Sequence, residues 1–99
     1  MTLEIKQTET FRVWEAALKD RRARTIIATR INRAANGLLG DVESIGNGVR
    51  ELKIHYGTGY RVYFKRHGNT LIVLLCGGKK STQRQDIELA KQLAQKGSV

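Results

Sequence analysis

The chain of 99 residues suits one domain around one hydrophobic core and is too short for two. Its 40% hydrophobic content excludes a disordered chain, and 18 basic against 9 acidic residues, a formal charge of +9, favour a polyanionic partner. Nucleic acid is the commonest such partner, although charge alone also allows an acidic protein or an anionic membrane. The lack of a membrane-spanning apolar run and of a signal-peptide core predicts a cytoplasmic protein.

The first half of the chain predicts one short strand and two helices. Residues 3–7 alternate apolar and polar side chains as a strand does, and Thr8 or Thr10 can cap the helix that follows. A second helix is predicted over residues 21–36, where apolar side chains recur at three-to-four-residue spacing and Gly37 can end the helix. Residues 37–48 are rich in glycine and predict an irregular connection.

The second half predicts a meander of three antiparallel strands, at residues 50–56, 60–65 and 70–76, followed by a helix over residues 83–96. The third strand is apolar on both faces and should be central, with Cys76 as a buried thiol at its end. The predicted fold is therefore α+β in one domain, residues 1–99, in the order β-α-α-β-β-β-α. Two N-terminal helices cover one face of a small, antiparallel-dominated sheet, and a C-terminal helix completes it.

Side-chain parity separates the two faces of the first two hairpin strands. Apolar residues such as Leu52 and Phe64 point under the helices, whereas basic and aromatic residues share the opposite face. Next to a glycine-rich turn at residues 77–80, such a face can grip RNA through phosphate contacts and base stacking; a merely solvated polar face is the alternative. The face predicted to be solvated comprises Lys53, His55, Arg61, Tyr63 and Lys65.

The sequence has no residue pattern typical of a metal site or a nucleophilic triad, so we expect any catalysis to need neither metal nor cofactor. RNA supplies its own nucleophile, the 2′-hydroxyl. The protein need only remove that proton, stabilise the phosphate charge and protonate the leaving oxygen. Clustered lysines and arginines can do this, because neighbouring positive charge lowers the pKa of a lysine.

Two segments of the sequence resemble the HigB-like killer proteins of the RelE/ParE superfamily. The first is Glu-Leu-Lys-Ile at 51–54 with Gly-x-Gly-Tyr-Arg-Val-Tyr-Phe at 57–64; the second is Leu-Leu-Cys-Gly-Gly-x-Lys-Ser-Thr-Gln-x-x-Asp-Ile at 74–87. With Trp14 and the loop at 40–49, the resemblance covers nearly the whole chain. It implies the toxin of a type II toxin-antitoxin module, a ribosome-dependent mRNA endoribonuclease that inhibits translation. The implied partners are the ribosome, mRNA and a helix-turn-helix antitoxin that mediates oligomerisation, with no membrane involved.

The resemblance also assigns residues by position. Lys53 looks like the basic residue that the family carries on its second strand, and Arg61 looks like the arginine of its third strand. Lys80 stands where RelE-type members have an arginine after the glycine turn. This chain departs from the pattern at Glu51, where RelE-type enzymes have another basic residue, and at Asp86, near their aromatic catalytic position.

The mechanism predicted from these residues places RNA across the two hairpin strands. Arg61 holds the phosphate, and Lys53 or His55 accepts the 2′-hydroxyl proton. Lys80 stabilises or protonates the leaving group, so the products carry a 2′,3′-cyclic phosphate and a 5′-hydroxyl. The alternatives are a ParE-like inhibitor of DNA gyrase and a non-toxic nucleic-acid-binding module. Gln83 and Asp86 are predicted to orient the catalytic groups, and further RNA contacts are predicted at Arg50, Tyr63, Lys65, Lys79, Gln83 and Arg84.

Overall fold

In the computed structural model, which describes residues 3–96, a five-stranded sheet carries helices on both faces. The elements are β1 Glu4–Gln7, α1 Glu9–Ala16, α2 Arg21–Ala35, β2 Val42–Gly46, β3 Val49–Ile54, β4 Tyr60–His67, β5 Leu71–Lys79, a 3-10 turn Lys80–Thr82, and α3 Gln83–Lys96. The strands lie in the order β1-β5-β4-β3-β2, with β1 parallel to β5 and the other pairs antiparallel. This confirms the predicted α+β, antiparallel-dominated architecture.

The strand β2 corrects the prediction of an irregular connection over residues 37–48. It pairs antiparallel with β3, Val42 opposite Leu52, and a bulge interrupts the register between Ser44 and Gly46. The bulge breaks the two-residue period by which a strand is recognised in sequence, and the strand lies exposed at the edge of the sheet. The turn to β3 passes through Asn47 at a φ of 56°, which asparagine tolerates better than most residues.

Two side-chain caps fix where the N-terminal helices begin. Thr8, not Thr10, caps α1: its hydroxyl accepts from the Phe11 amide at 3.0 Å and donates to the Leu75 carbonyl at 2.5 Å. This second bond ties the start of α1 to β5, an interior strand next to the central strand β4. Asp20 caps α2 by accepting from the amides of the second and third helical residues at 3.0 and 3.1 Å.

The sheet is buried on both faces. On one face, residues of α1 and α2 such as Phe11 and Ile27 pack against apolar side chains of the strands. These include Leu52 and Phe64, which the alternation in the sequence predicted to lie on this face. The opposite face packs against α3. We call this second side of the sheet the α3 face; the hydrophobic residues buried there are Val49, Tyr63, Val73, Leu75 and Cys76 of the sheet and Ala90 and Ala94 of α3.

Gly77 and Gly78 correct a further prediction, since they lie inside β5 opposite Val62 and Arg61 rather than in a turn. Their function is close packing. A Cβ on Gly77 would overlap the ring of Trp14, and a Cβ on Gly78 would overlap the carboxylate of Asp86. The strand therefore runs on past Cys76 and brings its end under both α1 and the start of α3. Within residues 3–96, none of the helices has the length and apolar character that crossing a bilayer requires.

The thiol of Cys76 should be chemically inert in the folded protein. Burial, together with the nearby Asp86 charge, raises the pKa of Cys76 to about 12, and its Sγ donates to the Asp86 carbonyl at 3.6 Å. Because only the thiolate reacts, we expect labelling by a disulfide reagent at pH 8 to be at least about 10²-fold slower in the native protein than in the denatured one. Absorbance of the released chromophore measures both rates; equal rates would contradict the buried position of this thiol.

Candidate functional site

A buried carboxylate, Glu51, organises the α3 face where β3, β4 and α3 meet. Its side chain is 1% exposed. The Tyr63 hydroxyl donates to Oε2 at 3.1 Å, the Gln83 amide donates to the same oxygen at 2.8 Å, and the Arg61 Nε lies 3.4 Å away in an ion pair. We call these four residues the Glu51 cluster. Three separate elements of the chain are joined through this one carboxylate.

Glu51 holds the guanidinium of Arg61 in place, and Arg61 is 5% exposed. Its Nη1 donates to the Tyr60 carbonyl at 3.3 Å, while Nε faces Glu51 without a well-aligned hydrogen bond. A Cβ on Gly59 would lie 3.9 Å from Nη1 and 3.4 Å from the Cβ of Lys80. The Lys80 amide also donates to the Gly59 carbonyl at 3.1 Å. Arg61 and Lys80 therefore flank the same glycine at the start of β4.

Lys53 lies directly across from Arg61 in the pairing of β3 with β4. Its Nζ donates to Glu43 at 2.8 Å, and this hydrogen bond raises the pKa of Lys53 above its usual value. The expectation that neighbouring cations would lower this pKa is therefore wrong. The physical reason is β2, which the sequence did not reveal and which brings the Glu43 carboxylate beside the lysine.

His55 follows the end of β3 and has a carboxylate partner that sequence reasoning missed. Its Nε2 lies 2.6 Å from Oδ2 of Asp41, and both side chains are at least half exposed, at 67% and 50%. The hydrogen bond to His55 holds the pKa of Asp41 below its usual range. The available signal was weak, because Asp41 precedes the edge strand that was predicted as part of an irregular loop. His55 is thus an oriented imidazole that solvent can reach.

Asp86 and Gln83 lie in the first turn of α3, on the side that meets the sheet. Asp86 Oδ2 accepts from the Thr82 hydroxyl at 2.5 Å and packs against Gly78, which is opposite Arg61 in the strand register. Gln83 reaches Glu51 instead of solvent. Both residues therefore fix the start of α3 against β3, β4 and β5, and their predicted orienting function stays a prediction.

The prediction of one solvated basic face is wrong for part of its members, because α3 covers that face. Tyr63 is 0% exposed beneath α3, and burial, then Glu51, raises its pKa, so it cannot stack on a base. Arg50, which was predicted as a further RNA contact and not as a member of that face, is in register with Phe64 and therefore belongs to the opposite face. Lys65 reaches the other end of α3, where its Nζ donates to the Ala94 carbonyl at 3.4 Å.

The other predicted residues are at the surface, and one of them is on the other side of the sheet. Lys80 is exposed in the 3-10 turn and Arg84 in the first turn of α3, whereas Lys79 is in register with Tyr60, which packs under α1 and α2, and therefore belongs to the opposite face. Lys53 is half-buried on β3, directly across from Arg61 of β4. The structure therefore brings together a fixed, buried arginine, an oriented histidine and a basic rim. We define the basic rim as Lys53, Lys80 and Arg84.

Comparison with known proteins gives a family and a fold. Residues 9–95 match the family of phage-derived Gp49-like proteins. An uncharacterized protein of Haemophilus influenzae is 50% identical over 95 residues, which is 96% of each chain. A mutant of the Escherichia coli toxin RelE in the free state superposes with a TM-score of 0.74, at 12% identity and with both chains fully covered. A chain of the RelBE2 toxin-antitoxin complex from Mycobacterium tuberculosis gives a TM-score of 0.63 at 17% identity, over 81% of this chain and 100% of that one.

Proposed function

The chain belongs to the family of phage-derived Gp49-like proteins, within the RelE/ParE-type toxin superfamily, and from this membership we propose that it is a HigB-like toxin of a type II toxin-antitoxin module. Its activity is ribosome-dependent cleavage of mRNA, which stops translation in the cytoplasm. The observation that carries the proposal is the buried Arg61 guanidinium, fixed by Glu51 beside a basic rim. A buried, ion-paired arginine at the edge of a basic surface is well suited to hold one phosphate in one orientation.

Arg61 supports this proposal because its orientation is settled before substrate arrives. Glu51 holds the Nε side and the Tyr60 carbonyl holds Nη1, whereas Nη2 makes no hydrogen bond within residues 3–96. An incoming phosphate oxygen can therefore take Nη2 without any rearrangement of the side chain. In a site with little water, such a preorganised donor stabilises the charge that develops on the phosphate more strongly than a mobile surface arginine would.

His55 is the stronger candidate for general base, and Lys53 for a charge-stabilising contact. Asp41 at Nε2 favours the tautomer that carries its proton there, which leaves Nδ1 as the acceptor for the 2′-hydroxyl proton. Lys53 stays protonated because Glu43 raises its pKa, so it serves the phosphate as a cation. Lys80 protonates the leaving 5′-oxygen. One product then carries a 5′-hydroxyl and the other a 2′,3′-cyclic phosphate.

The basic rim also supports a way in which an antitoxin would inhibit the protein. An acidic partner that covers the basic rim would exclude RNA from Arg61, and opposite charges favour its rapid capture. One of the proteins with the same fold was solved in a toxin-antitoxin complex, which supports a partner of this kind. We propose that the neighbouring gene encodes it as a helix-turn-helix protein.

The experiment that tests the proposed function uses a translating extract and a message with one mapped cut. Replacing the ribose on the 5′ side of that cut by deoxyribose removes the nucleophile, and cleavage there should stop. A deoxyribose placed one nucleotide further upstream is the matched control and should leave cleavage unchanged. Message that stays whole in the extract, while purified DNA gyrase loses supercoiling activity, would replace this proposal by the ParE-like one.

His55 and His67 provide a matched pair for the proton-transfer step. The change His55→Gln removes the proposed base and should lower the cleavage rate by about 10²-fold, without loss of folded protein. The change His67→Gln alters an exposed residue at the far end of β4 and should have no such effect. Single-turnover cleavage of ribosome-bound message, measured between pH 5 and pH 9, compares them. A His55→Gln enzyme with the wild-type rate and pH profile would remove His55 from the mechanism.

A further inference from the structure

The half of α2 that faces solvent carries arginines and no carboxylate. Its exposed residues follow one another around an arc of the helix, and none of its arginines makes an ion pair or a side-chain hydrogen bond within residues 3–96. This surface is separate from the basic rim and has no function in the mechanism above. We call it the outer face of α2; it comprises Arg21, Arg22, Arg24, Thr25, Ala28, Thr29, Asn32 and Arg33.

The fifth arginine of α2, unlike the four on the outer face, makes structural contacts. Arg30 is half-buried, and its guanidinium donates to the Lys53 carbonyl at 3.0 Å and to the Leu39 carbonyl at 3.4 Å. It therefore fastens α2 to the end of β3. The arginines of the outer face have no comparable contacts, so packing does not account for them.

Helix stability does not account for the three arginines at the start of α2 either, whereas Arg33 lies in the last turn, where the helix favours a basic side chain. Arg21, Arg22 and Arg24 all lie in or next to the first turn of α2, which contains no acidic residue. The N-terminal end of a helix carries partial positive charge and favours acidic side chains, so arginines there work against the helix. Asp20 compensates only as the N-cap. Positive charge concentrated at this end therefore has no structural function within residues 3–96 and would suit an anionic ligand outside the helix.

The outer face of α2 and the Glu51 cluster lie on opposite sides of the sheet. The buried side of α2 packs on the face that holds Leu52 and Phe64, whereas Glu51 and Arg61 belong to the α3 face. The shortest extent of the molecule is 22 Å, so one short stretch of message cannot occupy both surfaces. A polyanion on α2 is therefore a different segment from the one that is cut.

We propose that the outer face of α2 binds the phosphate backbone of folded RNA, as a docking surface for ribosomal RNA that is distinct from the message site. The inference deepens the proposed function and rests on it for the identity of the RNA. From Arg21 to Arg33 the helix extends about 18 Å, which is enough to contact several consecutive phosphates. Arginine, threonine and asparagine side chains are those that commonly contact phosphate oxygens.

An acidic protein fits this surface less well than RNA. Cores of protein interfaces are apolar, whereas nucleic-acid interfaces are polar and strongly positive. The outer face has Ala28 as its one apolar side chain, and the exposed apolar residues Val13, Leu38 and Leu89 lie elsewhere. A shallow groove of about 420 Å³ runs between α1 and α2, with Glu15 as its acidic member and with Arg21, Arg24, Thr25 and Ala28 on the α2 side.

The test compares two variants that lose the same charge. One is Arg21→Gln/Arg24→Gln/Arg33→Gln on the outer face; the control, Lys6→Gln/Arg12→Gln/Lys96→Gln, changes exposed residues elsewhere. Binding to purified ribosomes without message is measured against salt concentration. The α2 variant should bind about 10²-fold more weakly at low salt, and its salt dependence should fall by about 2 to 3 in log–log slope, whereas the control should stay close to wild type. Arginine-to-lysine changes at the same three α2 positions should keep the slope.

Three results would overturn the inference: an α2 variant that binds ribosomes like wild type, an equal loss in both glutamine variants, or an α2 variant that loses only the antitoxin. Thermal denaturation checks that each variant is folded. Because no message is present, the outcome does not depend on cleavage. If wild-type protein docked through α2 but left message whole, the proposed nuclease activity would be wrong and the docking surface would stand. If cleavage did not depend on α2, the docking surface would be wrong and the nuclease activity would stand.

Discussion

Replacing Glu51 by alanine should lower the free energy of unfolding by about 3–5 kcal/mol, because the Arg61 guanidinium would stay buried without its countercharge. The Tyr63 hydroxyl and the Gln83 amide would lose their acceptor as well. A domain of this size is stable by about 5–15 kcal/mol in total, so the change removes a large part of the stability. Thermal denaturation should show a melting temperature lower by more than about 10 °C.

The control for this effect is Glu43→Ala, which removes the partner of Lys53 at an exposed position. Exposed ion pairs contribute little, and we expect a change of at most about 1 kcal/mol. If Glu51→Ala and Glu43→Ala melted at the same temperature, the Glu51 cluster would not be the stabilising unit that its burial indicates.

The double variant Glu51→Gln/Arg61→Met should fold and yet lose cleavage by about 10²–10³-fold. Removing both charges leaves no unpaired ion in the interior, and the glutamine oxygen can still accept from Tyr63 and Gln83. The loss of rate then reports the missing phosphate contact and not unfolding, since removal of one preorganised donor has an effect of this size. Changing Arg61 alone would leave Glu51 buried and unpaired, so the single variant Arg61→Ala would lose stability as well as the phosphate contact.

The matching control is Glu51→Gln, which keeps Arg61 and should retain cleavage to within about tenfold. Rates are measured on ribosome-bound message at a temperature below the melting points of all three proteins. A double variant that is folded and cuts at the wild-type rate would show that Arg61 does not contact the scissile phosphate.

Parity along the strands was enough to predict which residues lie under α1 and α2. Leu52 and Phe64 follow a strict two-residue period, and a period of this kind depends only on local backbone geometry. The edge strand β2 could not be predicted in the same way, because its bulge shifts the period between Ser44 and Gly46. Because β2 was not predicted, the ion pair of Lys53 with β2 and that of His55 with the residue before β2 could not be predicted either.

Parity also assigned Tyr63 and Arg61 to one face correctly but could not tell what covers that face. The docking of α3 depends on contacts between distant parts of the chain. A signal existed in β5, which is apolar on both parities, since a strand covered on both sides needs a helix on each. Glu51 stood out only as a departure from the family pattern. Its acidic side chain, on the same parity as Lys53 and one step along the sheet from Arg61, could have indicated a buried ion pair.

Because β1 pairs with β5, it can enter the sheet only after residues 71–74 have been synthesised. The Thr8 hydroxyl donates to a carbonyl 67 residues later, and Gln83, which completes the Glu51 cluster, is translated later still. Contacts between such distant residues form late and slow the folding of a nascent chain. The buried pair of Arg61 and Glu51 therefore gains its contact with Gln83 only after all five strands have been synthesised. Until then the growing polypeptide carries Arg61 without the complete set of contacts that fixes it.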